Sequence, residues 1–372
     1  MKEMSEWKEY KLGDVITFQR GHDLPKAKMI SGNYAVAGSN GIIGYHNNYT
    51  TKGPGVTIGR SGNIGTPYYY YQDFWAHNTV LYIIDFKFSH PKFIYYFLKT
   101  FDFFILNAGS AVPTLNRNHI HEIKVKVPEK FEQLQITSIL EILDDKIDLL
   151  HRQNKTLEQL AKTLFRQWFV ESNDNSNKAK LNDYVESANT GLDAIKRAPI
   201  VEYETGIKCL RIQDISQNKT FEKWGNTEVE KNNFSRFQLK RDDIIMARTC
   251  SPGINLFVRE DLPAVFNNGL VRIRAKKAKV HPILLNFLFK TREFIGHIDG
   301  ISGGTSVQLN MQVGDLLSYD FSFPAIEKQN EIINSFISFD EKTYYNNNQI
   351  RTLTQLRDTL LPKLMSGEVR VK

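Results

Sequence analysis

Between about Pro128 and Phe169 the apolar positions recur at alternating steps of four and three. Ile136, Leu140, Leu143, Ile147, Leu150, Asn154, Leu157, Ala161, Leu164 and Trp168 all fall on this series. That is a heptad seam with one polar interruption, Asn154. The seam covers about 33 residues free of proline and glycine, and as a helix it extends roughly 50 Å. A helix of that length cannot be hidden inside one ordinary domain, so the seam requires a second helix. A single Asn on such a seam fixes register or partner at some cost in stability.

The flanking segments have a different texture. Residues 1–127 are mixed and strand-rich. Short apolar pieces surround a Gly-Ser-Asn-Gly turn at 38–41, and the β-branched run Val56, Thr57, Ile58 follows a Gly-Pro-Gly turn. The aromatic run 91–106 predicts a short buried helix, 109–116 a polar loop, and Ile123, Val125 and Val127 alternate as in a strand. Residues 128–170 form the first long helix, 171–180 a polar linker, 181–323 a second mixed segment, and 324–372 a second long helix with a short basic tail. Pro362 is expected to end or kink that second helix near Leu361.

The two halves are related. Residues 56–61 match 244–249, 78–83 match 268–273, His90-Pro91 match His281-Pro282, and 97–100 match 288–291. Residues 12–15 match 181–185 loosely, and Leu115-Asn116 match Leu309-Asn310. Within the helices the offset is 196 positions, from Gln133/Gln329 through Leu143/Phe339 to Leu164/Leu360. So many matches in one order define an internal repeat. Carried across, the seam becomes Ile332, Phe336, Phe339, Thr343, Asn346, Ile350, Leu353, Arg357, Leu360 and Leu364, apolar at its ends and polar in its middle. The partner helix therefore lies in the same chain. Ten linker residues reach at most about 35 Å, less than the helix length, so antiparallel pairing is favoured. Asn154 is expected to meet Asn346 or Thr343. The expected fold class is α+β: two similar mixed domains separated by two long helices in an antiparallel coiled coil, pseudo-two-fold, with the helices as spacer.

Composition adds limits. The chain has 372 residues, 41% hydrophobic and 12% aromatic, enough for more than one core. No run of 18 apolar residues suggests a membrane span, and the start lacks a signal-peptide pattern, so a cytoplasmic location is expected. The net charge of +7 permits an acidic partner. Cys209 and Cys250 are too few and too far apart for a disulfide framework or a zinc site. There is no phosphate-binding loop, dinucleotide fingerprint or amino-methyltransferase motif. Gly303-Gly304-Thr305-Ser306 lacks the lysine that phosphate binding needs and is expected to be a plain loop. His119 and His121 lack further ligands and are expected to be solvated or capping. Asp144, Asp145 and Lys146 are expected on a solvated helix face.

What remains suits DNA contact. Arg60, Ser61 and Asn63 follow one strand, and Arg248 and Thr249 follow its repeat. Arginine can grip guanine edges or phosphate with two hydrogen bonds, and hydroxyls at turns contact phosphate. Asn78 and Asn268 are also equivalent, and Asn40 lies in the first turn. Asn can read adenine but also serves as an ordinary turn residue. Two similar modules with different loops fit two different half-sites on duplex DNA.

These residues bring the chain close to a known family. It resembles the specificity subunit of type I restriction–modification systems. The resemblance rests on 40–45 (NGIIGY), 57–65 (TIGRSGNIG), 164–169 (LFRQWF) and 360–369 (LLPKLMSGEV), and covers essentially the whole chain. It implies two target-recognition domains on an antiparallel pair of helices. It implies a non-catalytic subunit that binds double-stranded DNA, two methyltransferase subunits and two restriction (translocase/nuclease) subunits. Such a complex methylates adenine with S-adenosylmethionine, or translocates and cuts DNA with ATP. Those cofactors belong to the partners, and none is expected on this chain. The second domain departs from the first at Cys250-Ser251-Pro252, where the glycine-rich turn is lost. The competing readings are a self-sufficient nuclease or methyltransferase, which would need a site this sequence does not display, and a coiled-coil adaptor with no DNA role.

Overall fold

The structure, a computed structural model, describes residues 6–106, 114–171, 179–302 and 310–371. Most of the polar linker, residues 109–113 of the first polar loop, the 303–306 loop and Leu309 lie outside them. The chain forms two compact units, one of Met1–His151 with Asn347–Lys372 and the other of Arg152–Asn346. The boundaries fall inside both long helices, Lys130–Phe165 and Ile326–Ser366, so each unit takes one half of each.

In the first unit, strands Thr17–Arg20, Val80–Asp85, Gly55–Gly59 and Pro67–Tyr70 form an antiparallel sheet in that order. A second sheet holds Gly41–His46, Tyr34–Gly38 and Phe74–Ala76, the last two parallel. The expected strand near Val125 is Lys124–Val127, paired with Lys8–Lys11. The helix expected over 91–106 is shorter. Pro91–Leu98 is helical, with Pro91 in its first turn where no N–H is missed, and the rest of the apolar run turns away into a 3-10 turn at Phe103–Leu106. Phe93, Ile94 and Tyr96 pack on Val56, Ile58 and Ile83 of the sheet, and on Ile136, Leu140, Leu364 and Met365 of the long helices.

The second unit repeats the plan. Val185–Thr190, Leu270–Ala275, Ile244–Ala247 and Asn255–Phe257 stand in the same antiparallel order. Lys208–Leu210 and Ala264–Phe266 form the parallel pair, and Pro282–Leu288 is the short helix. Gln133 and Gln329 do the same job in each unit. Gln133 accepts the His90 N–H at 2.8 Å and donates to the Pro128 carbonyl at 3.0 Å. Gln329 accepts the His281 N–H at 3.2 Å and donates to the Pro324 carbonyl at 2.8 Å. Each fully buried amide thus fastens the start of a short helix to the start of a long one.

Within each unit the helix halves run antiparallel. In the first, Arg370 pairs with Glu132 and Arg357 with Asp144. In the second, Asn346 lies against Asn154 and Phe336 against Phe165. Asn346 Nδ2 donates to Asn154 Oδ1 at 2.9 Å, so of the two expected polar partners it is Asn346 that meets Asn154. Every position of the transferred seam is buried or half-buried.

Three expectations are corrected. Trp168 is not on the seam but 37% exposed, while Phe165 and Phe169 are buried at 1% and 0%. The chain from Arg166 to Glu171 is a π-helix, whose wider turn moves the buried face onto Phe169. Of the end or kink expected at Pro362, the end is excluded, because the second helix continues to Ser366 and stops before Gly367 at φ +75°. An interior proline costs about 3 kcal/mol. Burial of Leu364 and Met365, 2% and 3% exposed, returns about 1.5–3 kcal/mol each and holds the last turn. Asp145 and Lys146 are exposed as expected, but Asp144 is half-buried and accepts from Tyr96 Oη at 2.7 Å and Arg357 Nη1 at 2.8 Å.

Candidate nucleic-acid interface

In the first unit the strand ending at Gly59 gives way to a loop over 60–65 that closes on itself. Gly65 N–H donates to Gly59 O at 2.8 Å. A Cβ at Gly59 would lie 1.7 Å from Asn63 O, so the tight closure demands glycine there. Arg60 and Ser61 N–H both donate to Thr79 O, at 2.8 and 3.3 Å, and Arg60 O accepts from Leu115 N–H at 2.9 Å. The Arg60 backbone is thereby fixed between the 78–79 turn and the segment after 114. Its guanidinium donates to Asn78 O at 3.4 Å. Partial burial, and then the charge of Arg20, hold its pKa below the ordinary arginine value.

Around this arginine the other candidates gather. Asn78 Nδ2 donates to Asp23 Oδ1, and Arg20 lies 3.7 Å from the same carboxylate. Asn63 is exposed, its Oδ1 accepting from Thr66 Oγ1 at 3.2 Å. Asn40 is exposed in the turn joining Tyr34–Gly38 to Gly41–His46. That turn approaches the arginine loop, since a Cβ at Gly62 would lie 3.8 Å from Ser39 Oγ. Arg60, Ser61, Asn63, Asn78 and Asn40 therefore share one edge of the first unit.

The second unit builds the same loop from a different sequence. Gly253 N–H donates to Ala247 O at 3.0 Å, closing 248–253 as Gly65 closes 60–65. Where Gly62 has φ +81°, Cys250 has φ +61°. Losing the glycine-rich sequence therefore leaves the backbone path intact, at the cost of a non-glycine residue in the left-handed region. Arg248 N–H donates to Gly269 O at 3.0 Å and Nη1 to Asn268 O at 3.3 Å, as in the first unit. Nη2 and Nε also donate to Asn310 Oδ1 at 2.9 Å and Met311 O at 3.4 Å. Among the described residues Arg248 is held more fully than Arg60. Thr249 bridges Asn310 as Ser61 bridges Thr114, and Met311 N–H donates to Arg248 O as Leu115 does to Arg60 O. Asn310 and Met311 thus take the places of Thr114 and Leu115, and the matching Leu-Asn pairs at 115–116 and 309–310 are a coincidence of sequence. Asn116 instead caps the helix Arg117–His121.

Sequence reasoning missed Arg20, Asp23 and Asn310. Arg20 is the last residue of its strand, and only the pairing of that strand with Val80–Asp85 brings it beside Arg60. His121 is neither solvated nor a cap: it is half-buried and accepts the N–H of strand residue Phe18 at 2.9 Å through Nε2. Among the described residues no group of three His, Cys, Asp or Glu could hold a metal.

Twice in one chain, then, the same sheet carries the same arginine loop beside the same asparagine turn. The chain belongs to the family described as type I restriction modification DNA specificity domain, which matches residues 4–159 and 173–355. Specificity subunits of type I systems are non-catalytic and select DNA targets. The chain is 22% identical over 312 residues to the MjaVIII specificity subunit of Methanocaldococcus jannaschii, covering 77% of this chain and 72% of that one. It is 23% identical over 358 residues to the HindI specificity subunit of Haemophilus influenzae, covering 75% and 77%. Its fold is similar to the type I restriction–modification S subunit of M. genitalium, with a TM-score of 0.71, 15% identity, and 98% and 97% of the two chains covered.

Proposed function

We propose that this chain reads a two-part target on duplex DNA, one half-site per unit, and that it carries two methyltransferase subunits and two restriction subunits to that target in the cytoplasm. The observation behind this reading is the doubled loop. Arg60 and Arg248 leave equivalent strands and meet equivalent Asn carbonyls, yet differ in their remaining neighbours. Equivalent frames with unlike surroundings suit two unlike half-sites. In this reading Arg60, Ser61, Asn63, Asn40 and Asn78 serve the first half-site, and Arg248, Thr249 and Asn268 the second. The net charge of +7 favours a phosphate backbone as partner. No described helix is long and apolar enough to cross a membrane.

The test is Arg60→Ala, with the chain co-expressed with its methyltransferase subunits and assayed by gel shift. Discrimination at one half-site should fall by about 1–3 kcal/mol and leave the other unchanged. Unchanged binding at both half-sites would remove Arg60 from the interface.

A further inference from the structure

The two units use one acidic position in opposite ways. Gly21 N–H donates to Val80 O and Gly191 N–H to Leu270 O, so Asp23 and Asp193 are equivalent, each two residues beyond its glycine. Asp193 closes its own turn, accepting the N–H groups of Ile195 at 3.0 Å and Lys196 at 2.8 Å. Asp23 instead reaches across the edge to Arg20 and Asn78. Strand pairing puts Thr190 where the first unit has Arg20, so the second unit has no such cation there. The contact does little for stability, because the side chains of Arg20 and Asp23 are 54% and 71% exposed. It also places a carboxylate on the side chain of Asn78, whose carbonyl Arg60 holds, where a phosphate backbone would be repelled.

We propose that Asp23 is a specificity-determining residue of the first half-site, an inference that rests on the DNA-reading function above. In free protein its carboxylate occupies Arg20 and Asn78. On the correct half-site it accepts a hydrogen bond from a base-edge amino group, cytosine N4 or adenine N6, and the two donors are released to the DNA. On the wrong half-site no amino group stands at this position, the carboxylate keeps Arg20 and Asn78 from the DNA and lies near phosphate, and binding is penalised. The chain thereby rejects non-target DNA as well as gripping the target.

The experiment compares wild type with Asp23→Asn, both full-length and co-expressed with the methyltransferase subunits. Bound sequences are selected from DNA randomised over the first half-site, and binding to random-sequence duplex is measured across a salt series. Asp23→Asn should bind random duplex several-fold more tightly, with a steeper salt dependence, because Arg20 is unmasked. Discrimination at one base pair of the first half-site should fall about tenfold, with the second half-site unchanged. Binding and discrimination both within twofold of wild type would overturn the inference while leaving the DNA-reading function standing. So would weaker binding to every sequence, which is what a merely structural carboxylate would give. A wild-type complex that selects no sequence would overturn the function itself and this inference with it.

Discussion

The π-helical turn at Arg166–Glu171 makes a sharp prediction about two neighbouring aromatics. Phe165 is 1% exposed and its ring lies 4.9 Å from Phe169, 6.1 Å from Phe321, 6.3 Å from Phe323 and 6.1 Å from Phe336. It therefore joins the long helix to the second helix and to the strand-rich part of its unit. Phe165→Ala removes a fully buried ring and leaves a cavity among these partners, a loss of about 3–5 kcal/mol. Trp168 is 37% exposed, and Trp168→Ala should cost less than about 1 kcal/mol. A strict heptad predicts the reverse, with Trp168 on the seam and Phe165 beside it. Urea denaturation followed by far-UV circular dichroism, with hydrogen exchange of amides in 152–346, separates the two. Unfolding of a two-unit chain need not be two-state, so the exchange data assign the loss to the second unit. Equal destabilisation by the two substitutions, or a larger effect at Trp168, would refute the shifted register.

Two further predictions concern packing and pH. Asn346→Leu should cost about 1–3 kcal/mol, since the fully buried Asn346 amide no longer donates to Asn154 and Gln153, and adding Asn154→Leu should recover most of it; a double variant no better than the single in a urea double-mutant cycle would argue against the pair. Burial first, and then the charges of Arg117 and Lys87, hold the His121 pKa below the usual histidine value, while Glu122 opposes them. The folded state therefore prefers the neutral ring, which accepts the Phe18 N–H, and this stabilisation is complete above the unfolded value of about 6.5 and declines as pH falls below it. The wild-type urea midpoint should drop between pH 7.5 and 5.5 more than that of His121→Gln, and parallel pH profiles would count against it.

The periodicity of apolar positions was enough to place the first long helix, and the repeat at an offset of 196 was enough to place its partner and to narrow the polar partner of Asn154 to Asn346 or Thr343, between which the structure chose Asn346. Those features are carried by local spacing, which a sequence displays directly. The arginine loops were legible for the same reason, as a strand followed by a turn, twice over. What surrounds them was not. Arg20 stands some forty positions before Arg60 in the chain and reaches it only through strand pairing, Asp23 reaches Asn78 across the same edge, and Asn310 reaches Arg248 only through the bridge at Thr249. Trp168 left the heptad and the second helix ran on past Pro362, because the burial of Phe169 outweighed the heptad in one case and the burial of Leu364 and Met365 offset the proline penalty in the other. Spacing and repetition determined which elements exist and which are equivalent. Tertiary packing alone decided which side chains share an edge, because those neighbours are set by hydrogen bonds and buried surface between segments distant in sequence.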